Sequence, residues 1–379
     1  MNLLTRLTTP GPKRILALDG GGIKGAMTLG FLKRIEDILR VRHNNSKLLL
    51  CDYFDLIGGT STGSIIAALL AVGKTVEEVQ LMYQEMGGEI FDDRIKFNPL
   101  GLFAPKFKSK PLKERLEMEF GEMKIDSEKI RTGLCIVTKR LDTGGTWPII
   151  NHPGAKYFKD NREILLRDAV RASTAAPSYF EPEKLRVKID QEGIFVDGGV
   201  SSANNPALYM FMMTQLTGFP FHWKSGKDNI LLVSCGTGAS RPRYTADQID
   251  SFLQAKLWAE SSIAGMMSDA HTLNQIMLQS ISYSPTKIKI DSEIGDMQQD
   301  MISKEPLLSY LRYDLKFEDK EIDLYPPIRK IMDDNNVSVT DIRQMDNAKN
   351  RMVLARIGVA AAAIKVDALH FDPLFDIKE

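Results

Sequence analysis

The sequence predicts an α/β fold, a mainly parallel sheet covered by helices. Three observations carry that expectation. A short apolar run followed by a glycine turn and a helical stretch occurs twice between Arg14 and Val72. Further apolar runs of strand length recur downstream, one of them again ending in glycines. The composition, 43% hydrophobic and 26% charged over 379 residues, supplies ample material for a core. Strand, turn and helix in series is the signature of parallel pairing, because two parallel strands need a crossover between them.

The elements follow in order. Arg14-Ile15-Leu16-Ala17-Leu18-Asp19 reads as a buried strand that stops at Gly20-Gly21-Gly22. From Gly25 to Leu39, Met27, Leu29, Phe31, Leu32, Ile35 and Ile38 fall at helical spacing. Tyr53–Ile57 is a second strand, and after Gly58-Gly59 the stretch Ser64–Val72 is a short buried helix. Residues 91–111, with three prolines, are irregular. Further strands are expected at Gly133–Thr138, Ile194–Val196 and Ile230–Ser234, and Asp168–Ala172 ends a helix. Thr245-Ala246-Asp247-Gln248 fits a capping box opening a long helix to about Ile281, and another helical stretch lies near Asn347–Val366. Residues 11–240 are thus expected to form the core. Residues 241–379 would form a mainly helical extension packed on it, serving as lid, sensor or dimer interface.

Charge and cysteine content narrow the function classes. Forty-nine basic and 49 acidic residues cancel, so no global field draws the chain to a nucleic acid polymer or an anionic membrane. Cys51, Cys135 and Cys235 are odd in number and far apart, which fits neither a disulfide framework nor a zinc site and favours a reducing cytoplasm. The longest apolar runs, Ile65–Val72 and Val359–Ile364, are far shorter than the ~20 residues of a membrane span. The first ten residues lack the apolar stretch of a secretory signal.

The sharpest motif is Gly59-Thr60-Ser61-Thr62-Gly63, a G-x-S-x-G between a predicted strand and a predicted helix. A serine at the apex of so tight a turn exposes its hydroxyl, and crowding demands glycine on both sides. The helix N-terminus behind it adds N–H donors, that of Thr62 among them. Asp19-Gly20-Gly21-Gly22-Ile23-Lys24-Gly25 formally contains G-x-G-x-x-G. A dinucleotide fold, however, wants an acidic residue closing the second strand, where this chain has the serine turn. A P-loop fails too, because Ala26-Met27 replaces Lys-Ser/Thr. The turn is better suited to an oxyanion hole, with unshielded N–H groups converging on a developing negative charge. A phosphate-binding module remains the alternative from a different class.

An activated serine needs a base. By chain order His222, His271 and His370 qualify, but none sits in a glycine-rich loop after a strand, and each reads as a packed or surface side chain. Asp197, in Phe195-Val196-Asp197-Gly198-Gly199, closes a short apolar strand and is the better candidate; a simple Asp-Gly turn is the bland alternative.

Taken together, Asp19–Gly25, Gly59–Gly63 and Asp197–Gly199 resemble the patatin-like phospholipase family, with Ala172–Pro177 and Ser234–Gly238 as further matching segments across residues 13–240. Lys24 stands where the family often has arginine. The resemblance implies a three-layer α/β/α sandwich with additional C-terminal helices. It implies a Ser–Asp dyad of Ser61 and Asp197, an oxyanion hole from Gly20, Gly21, Gly22 and Thr62, and no cofactor for the chemistry. Gly25, Gly59, Gly63, Gly198 and Gly199 would shape the turns. The substrate class would be membrane glycerophospholipid, met peripherally at the inner membrane from the cytoplasm. An ungated lipase or lysophospholipase of the same fold is the rival.

Residues 133–153 and Arg171–Pro177 further resemble the cyclic-nucleotide-activated patatin phospholipases, the CapV-type effectors of bacterial CBASS anti-phage defence. That likeness implies a cyclic dinucleotide activator and leaves room for a homo-oligomer. Lys139, Arg140, Trp147 and His152 are able to offer phosphate contacts and a stacking surface, or else to pack and be solvated. Phe103 and Phe107, interleaved with lysines, suit a loop dipping into a membrane, or else fold back into the core.

Overall fold

Strand β1 (Lys13–Leu18) lies at the centre of the molecule because its side chains serve two cores at once. Leu16 and Leu18 enter one hydrophobic cluster, Ile15 and Ala17 the other, as the two-residue period of a strand requires. In the computed structural model, the described residues are 2–92, 105–188, 190–240 and 255–377. Among them β2 (Leu56–Thr60), β3 (Gly133–Arg140), β4 (Thr146–Ile150), β5 (Glu183–Lys188), β6 (Gln191–Asp197), β7 (Ile230–Cys235), β8 (Ser282–Tyr283) and β9 (Leu308–Tyr313) complete one nine-stranded sheet. Its order is β5-β6-β3-β2-β1-β7-β9-β8, with β4 also paired to β3. The run from β3 to β8 is parallel; β4, β5 and β6 pair antiparallel.

Helices cover both faces, giving the expected three layers. One face carries Gly25–Arg42, Thr62–Ala71, Val76–Asp92, Lys110–Phe120, Leu166–Ser173 and Arg351–Lys365. The other carries Ala207–Gln215, the C-terminal part of Ala255–Ile281 and the short N-terminal helix Leu3–Thr8. The central strands are parallel, so their C-terminal ends share one rim, where ligands bind in open α/β sheets.

Two expectations shift. The second strand starts at Leu56 rather than Tyr53, because Leu50–Tyr53 closes a helical turn in which the Asp52 carboxylate accepts the Leu49 N–H at 3.1 Å. Gly58 and Gly59 therefore belong to the strand itself. The second shift concerns residues 241–379. The described residues among them are largely helical but also contribute β8 and β9, so the sheet runs through both parts of the chain. The Arg351–Lys365 helix packs on Gly25–Arg42 through two glycines: a Cβ on Gly30 would lie 2.3 Å from the Gly358 carbonyl carbon, and one on Gly358 would lie 2.4 Å from the Met27 carbonyl oxygen. The expected start of the long helix at Thr245 lies outside the described residues; the helix is described from Ala255.

Candidate active site

Ser61 sits between β2 and the Thr62–Ala71 helix with φ 55° and ψ −126°, a left-handed backbone that non-glycine residues rarely adopt. The flanking glycines explain how the turn closes. A Cβ on Gly59 would lie 2.1 Å from the Gly63 carbonyl oxygen, and one on Gly63 would lie 2.3 Å from that of Leu18 in β1. Only hydrogen atoms fit there. The Ser61 N–H donates to the Ser173 hydroxyl at 3.0 Å, and that hydroxyl donates to the Val137 carbonyl in β3 at 2.6 Å.

Asp197 ends β6 opposite Thr138 of β3, on the same rim. Its own N–H donates to the Ala175 carbonyl at 3.0 Å, and its carboxylate accepts the Gly199 N–H at 2.6 Å. Asp197 is 3% exposed. Burial pushes its pKa up to about 6; the neighbouring Ser61 hydroxyl, the Gly199 N–H and the Arg171 charge work against that rise. The segment Ser173-Thr174-Ala175 therefore holds both members, one through a side chain and one through a carbonyl. Sequence reasoning had only the family likeness for this segment, because neither role has a local signal.

The glycine turn lies beside them. Gly21 is extended and Gly22 has φ 60°. The Gly20 N–H donates to the Asn204 carbonyl at 3.1 Å, so Gly20, expected to donate to an oxyanion, is already engaged in structure. Among the described residues the N–H groups of Gly21, Gly22 and Thr62 have no protein acceptor, and these three are left to receive a charge. A Cβ on Gly20 would lie 2.5 Å from Asn204 Oδ1 and 3.1 Å from the Ser61 Cβ, and one on Gly199 would lie 3.0 Å from the same Asn204 oxygen. Asn204 thus marks the point where the three loops meet. A Cβ on Gly25 would lie 2.5 Å from the Tyr83 hydroxyl, and one on Gly198 would lie 2.5 Å from the Val137 carbonyl oxygen.

The five histidines are engaged elsewhere. His271 Nδ1 lies 4.0 Å from Asp19, His370 meets the Tyr313 hydroxyl at 3.1 Å, and His43 lies 3.8 Å from Asp376. His222 is exposed, with φ 46°. His152 is buried edge-on to Phe221, with burial driving its pKa down to about 4.

Two expected surfaces look different in the structure. Of Lys139, Arg140, Trp147 and His152, Arg140 and Trp147 meet, while Lys139 and His152 are turned to other partners. Strand alternation turns Lys139 away from its neighbour Arg140, and its ammonium reaches the Val200 carbonyl at 3.4 Å. The Arg140 guanidinium is paired with Asp142 (3.0 Å from Nε) and lies over Trp147, whose other neighbour is Tyr157. His152 is only 2% exposed. As for the aromatic loop, Phe107 is fully buried with its ring 6.1 Å from that of Tyr179 and 6.0 Å from that of Phe180, so it packs the core instead of meeting a membrane. Phe103 lies outside the described residues.

Fold and site together define a class: an α/β protein with a serine on a strained strand-to-helix elbow beside a buried carboxylate. Residues 16–211 match the model of the patatin-like phospholipases, and the chain belongs to that family. It is 36% identical over 196 residues to the cGAMP-activated phospholipase of Escherichia coli (strain TW11681), a stretch of 51% of this chain and 53% of the relative. With the cGAMP-activated phospholipase of Vibrio cholerae serotype O1 it shares 33% identity over 218 residues, 55% of this chain and 60% of the relative. With Patatin-17 of Solanum cardiophyllum the identity is 28% over 254 residues, 62% and 63% of the two chains. The matched stretch thus spans a little over half the length of these relatives. Among the described residues no helix is long and apolar enough to cross a membrane.

Proposed function

We propose that this chain is a serine acyl hydrolase that cleaves the ester bonds of membrane glycerophospholipids. The observation that carries this reading is the serine elbow set on the same rim as the buried Asp197, with the Ser61 hydroxyl near enough to lower that carboxylate's pKa. In the first step Ser61 Oγ attacks the ester carbonyl carbon while its proton passes to the Asp197 carboxylate. The carbonyl oxygen takes up negative charge and accepts hydrogen bonds from the N–H groups of Gly21, Gly22 and Thr62, donors worth roughly 3–4 kcal/mol each in such sites. Collapse breaks the ester C–O bond, and the departing lysophospholipid oxygen takes the proton back from Asp197. Water then attacks the acyl-serine, its proton moving to Asp197 and on to Ser61 as the fatty acid leaves.

A carboxylate is a weaker base than an imidazole, and the raised pKa of Asp197 brings it closer to the operating pH. The phosphate-module alternative is disfavoured by Gly20, whose N–H is already committed to Asn204. A fluorophosphonate probe discriminates directly. Labelling at Ser61 that disappears in Ser61→Ala supports the hydrolase; a purified protein that binds nucleotide yet resists the probe with and without activator would favour the module.

The finer proposal is that a cyclic dinucleotide switches the enzyme on, as part of bacterial anti-phage defence, with the chain cytoplasmic until it acts at the inner face of the membrane. Its support is the likeness to two relatives described as cGAMP-activated. Phospholipid release measured against a panel of cyclic dinucleotides tests it, with native mass recorded to report any assembly. A rate indifferent to all of them would leave the ungated lipase.

A further inference from the structure

The glycine turn is held from beyond the part of the chain that matches the family. Arg312, on β9, has no exposed side-chain surface and grips Asp19, the residue before Gly20, through two hydrogen bonds of 2.9 and 2.6 Å. The same guanidinium donates to the Ser234 hydroxyl at 2.7 Å and to the Asp314 carboxylate at 2.7 Å. Asp314 in turn accepts the N–H groups of Gly238 and Leu315 at 3.0 and 2.9 Å. Lys24, just past the glycines, is also buried; its ammonium reaches the Gly238 carbonyl at 3.2 Å and lies 6.0 Å from the Phe317 ring. Arg312 and Lys24 balance Asp19 and Asp314. His271, also facing the cluster, is kept neutral by burial and the Arg312 charge. The last anchor is backbone: the Ile23 N–H donates to the Met345 carbonyl at 2.9 Å, and a Cβ on Gly22 would lie 2.2 Å from that oxygen.

We infer that Arg312 is a positioning residue for catalysis: by clamping Asp19 it sets the direction of the Gly21 and Gly22 N–H groups, so residues 308–345 complete the active site. The inference rests on the acyl-hydrolase reading. Arginine suits the task because its planar fork binds one carboxylate through one N–H of each terminal nitrogen, while the second N–H of Nη1 remains for Ser234 and that of Nη2 for Asp314. A lysine keeps the charge and loses the fork. Donors aimed at the transition-state oxyanion contribute little to binding the ground-state ester, so misdirecting them lowers kcat with little change in KM.

The test compares wild type, Arg312→Lys and Arg312→Gln on a soluble short-chain diacyl phospholipid below its micellar concentration, with the activator found above if one is needed. Rates are normalised to folded protein by thermal melts. A label on Ser61 and turnover in the wild type establish the underlying reading first; their absence would overturn that reading and, with it, the positioning role of Arg312. Given an active wild type, Arg312→Lys is expected to fold and to lose about tenfold to a thousandfold in kcat, with KM within about twofold. Should Arg312→Gln not fold, Asp19→Asn in the Arg312→Gln background removes the stranded carboxylate, and that folded double variant is expected to show the same kcat loss. Folded Arg312→Lys with wild-type kcat, or with KM raised and kcat kept, would overturn the assignment.

Discussion

At the scale of single residues, Asp197 does two opposed things. It must be ionised to take the Ser61 proton, and its burial disfavours that charge. The rate consequence has a definite sign. The ionised form is active, so kcat/KM is expected to fall about tenfold per pH unit below an apparent pKa near 6, and to be level above it. The stability consequence runs the other way. The folded pKa lies above the ordinary aspartate value of 3.8, so ionised Asp197 costs the fold stability above pH 6, and the cost fades as pH drops toward 4. Asp197→Asn is therefore expected to abolish hydrolysis while stabilising the protein by at most about 3 kcal/mol at pH 8, with no difference at pH 4. Denaturant melts at the two pH values check this. Equal activity in the variant would return the search to the histidines. Ser61→Ala should also be inactive; alanine keeps the Cβ at the same positive φ, so the strain of the turn stays and the melts are expected within about 1 kcal/mol of wild type.

Among elements, the elbow depends on contacts that the elbow motif does not contain. Ser173, at the C-terminal end of a helix a hundred residues away, joins the Ser61 N–H to β3. Ser173→Ala leaves a buried N–H and a buried carbonyl unsatisfied, and a stability loss of about 1–3 kcal/mol is expected together with a fall in kcat. A Ser173→Ala enzyme with both values unchanged would mean that the turn is self-supporting. Gly63→Ala is harsher, because the added carbon meets rigid β1 backbone at 2.3 Å; loss of soluble, folded protein is the expected outcome on expression.

Over the whole molecule, the late strand β9 closes the sheet against β7 and brings Arg312 to the glycine turn. A chain ending at residue 305 would expose the β7 edge and leave Asp19 as an unpaired buried carboxylate. Such losses cost about 3–5 kcal/mol for the ion pair alone. Aggregation of the truncated protein is expected, measured as the soluble fraction after expression; a soluble truncation that still reacts with a fluorophosphonate would show the family-matched part to be self-sufficient.

Much of this was legible beforehand, and for identifiable reasons. Runs such as Ile15–Leu18 and Ile230–Ser234 announce buried parallel strands because both faces are covered and every position but Ser234 is apolar. The three glycine motifs announce turns because no other residue fits. What stayed hidden was held by partners far apart along the chain. Leu308–Tyr313 did not stand out as a strand, since Arg312 inside it is tolerable only once Asp19 and Asp314 surround it. The Phe107 ring and the Lys139–His152 group were read from composition, but burial and strand alternation, which are tertiary, decided where they point.

Local chemistry in the sequence thus determined the class of fold, the candidate serine, the candidate carboxylate and the turn beside them, because glycine, serine and aspartate in those patterns are constrained by sterics within a few residues. Tertiary structure alone decided that the Gly20 N–H is unavailable, that Ser173 and Ala175 hold the pair, and that a buried arginine from the last strand secures the turn. Hydrogen bonds and ion pairs between residues hundreds of positions apart carry no local pattern; they exist only after the sheet has brought its ends to one rim.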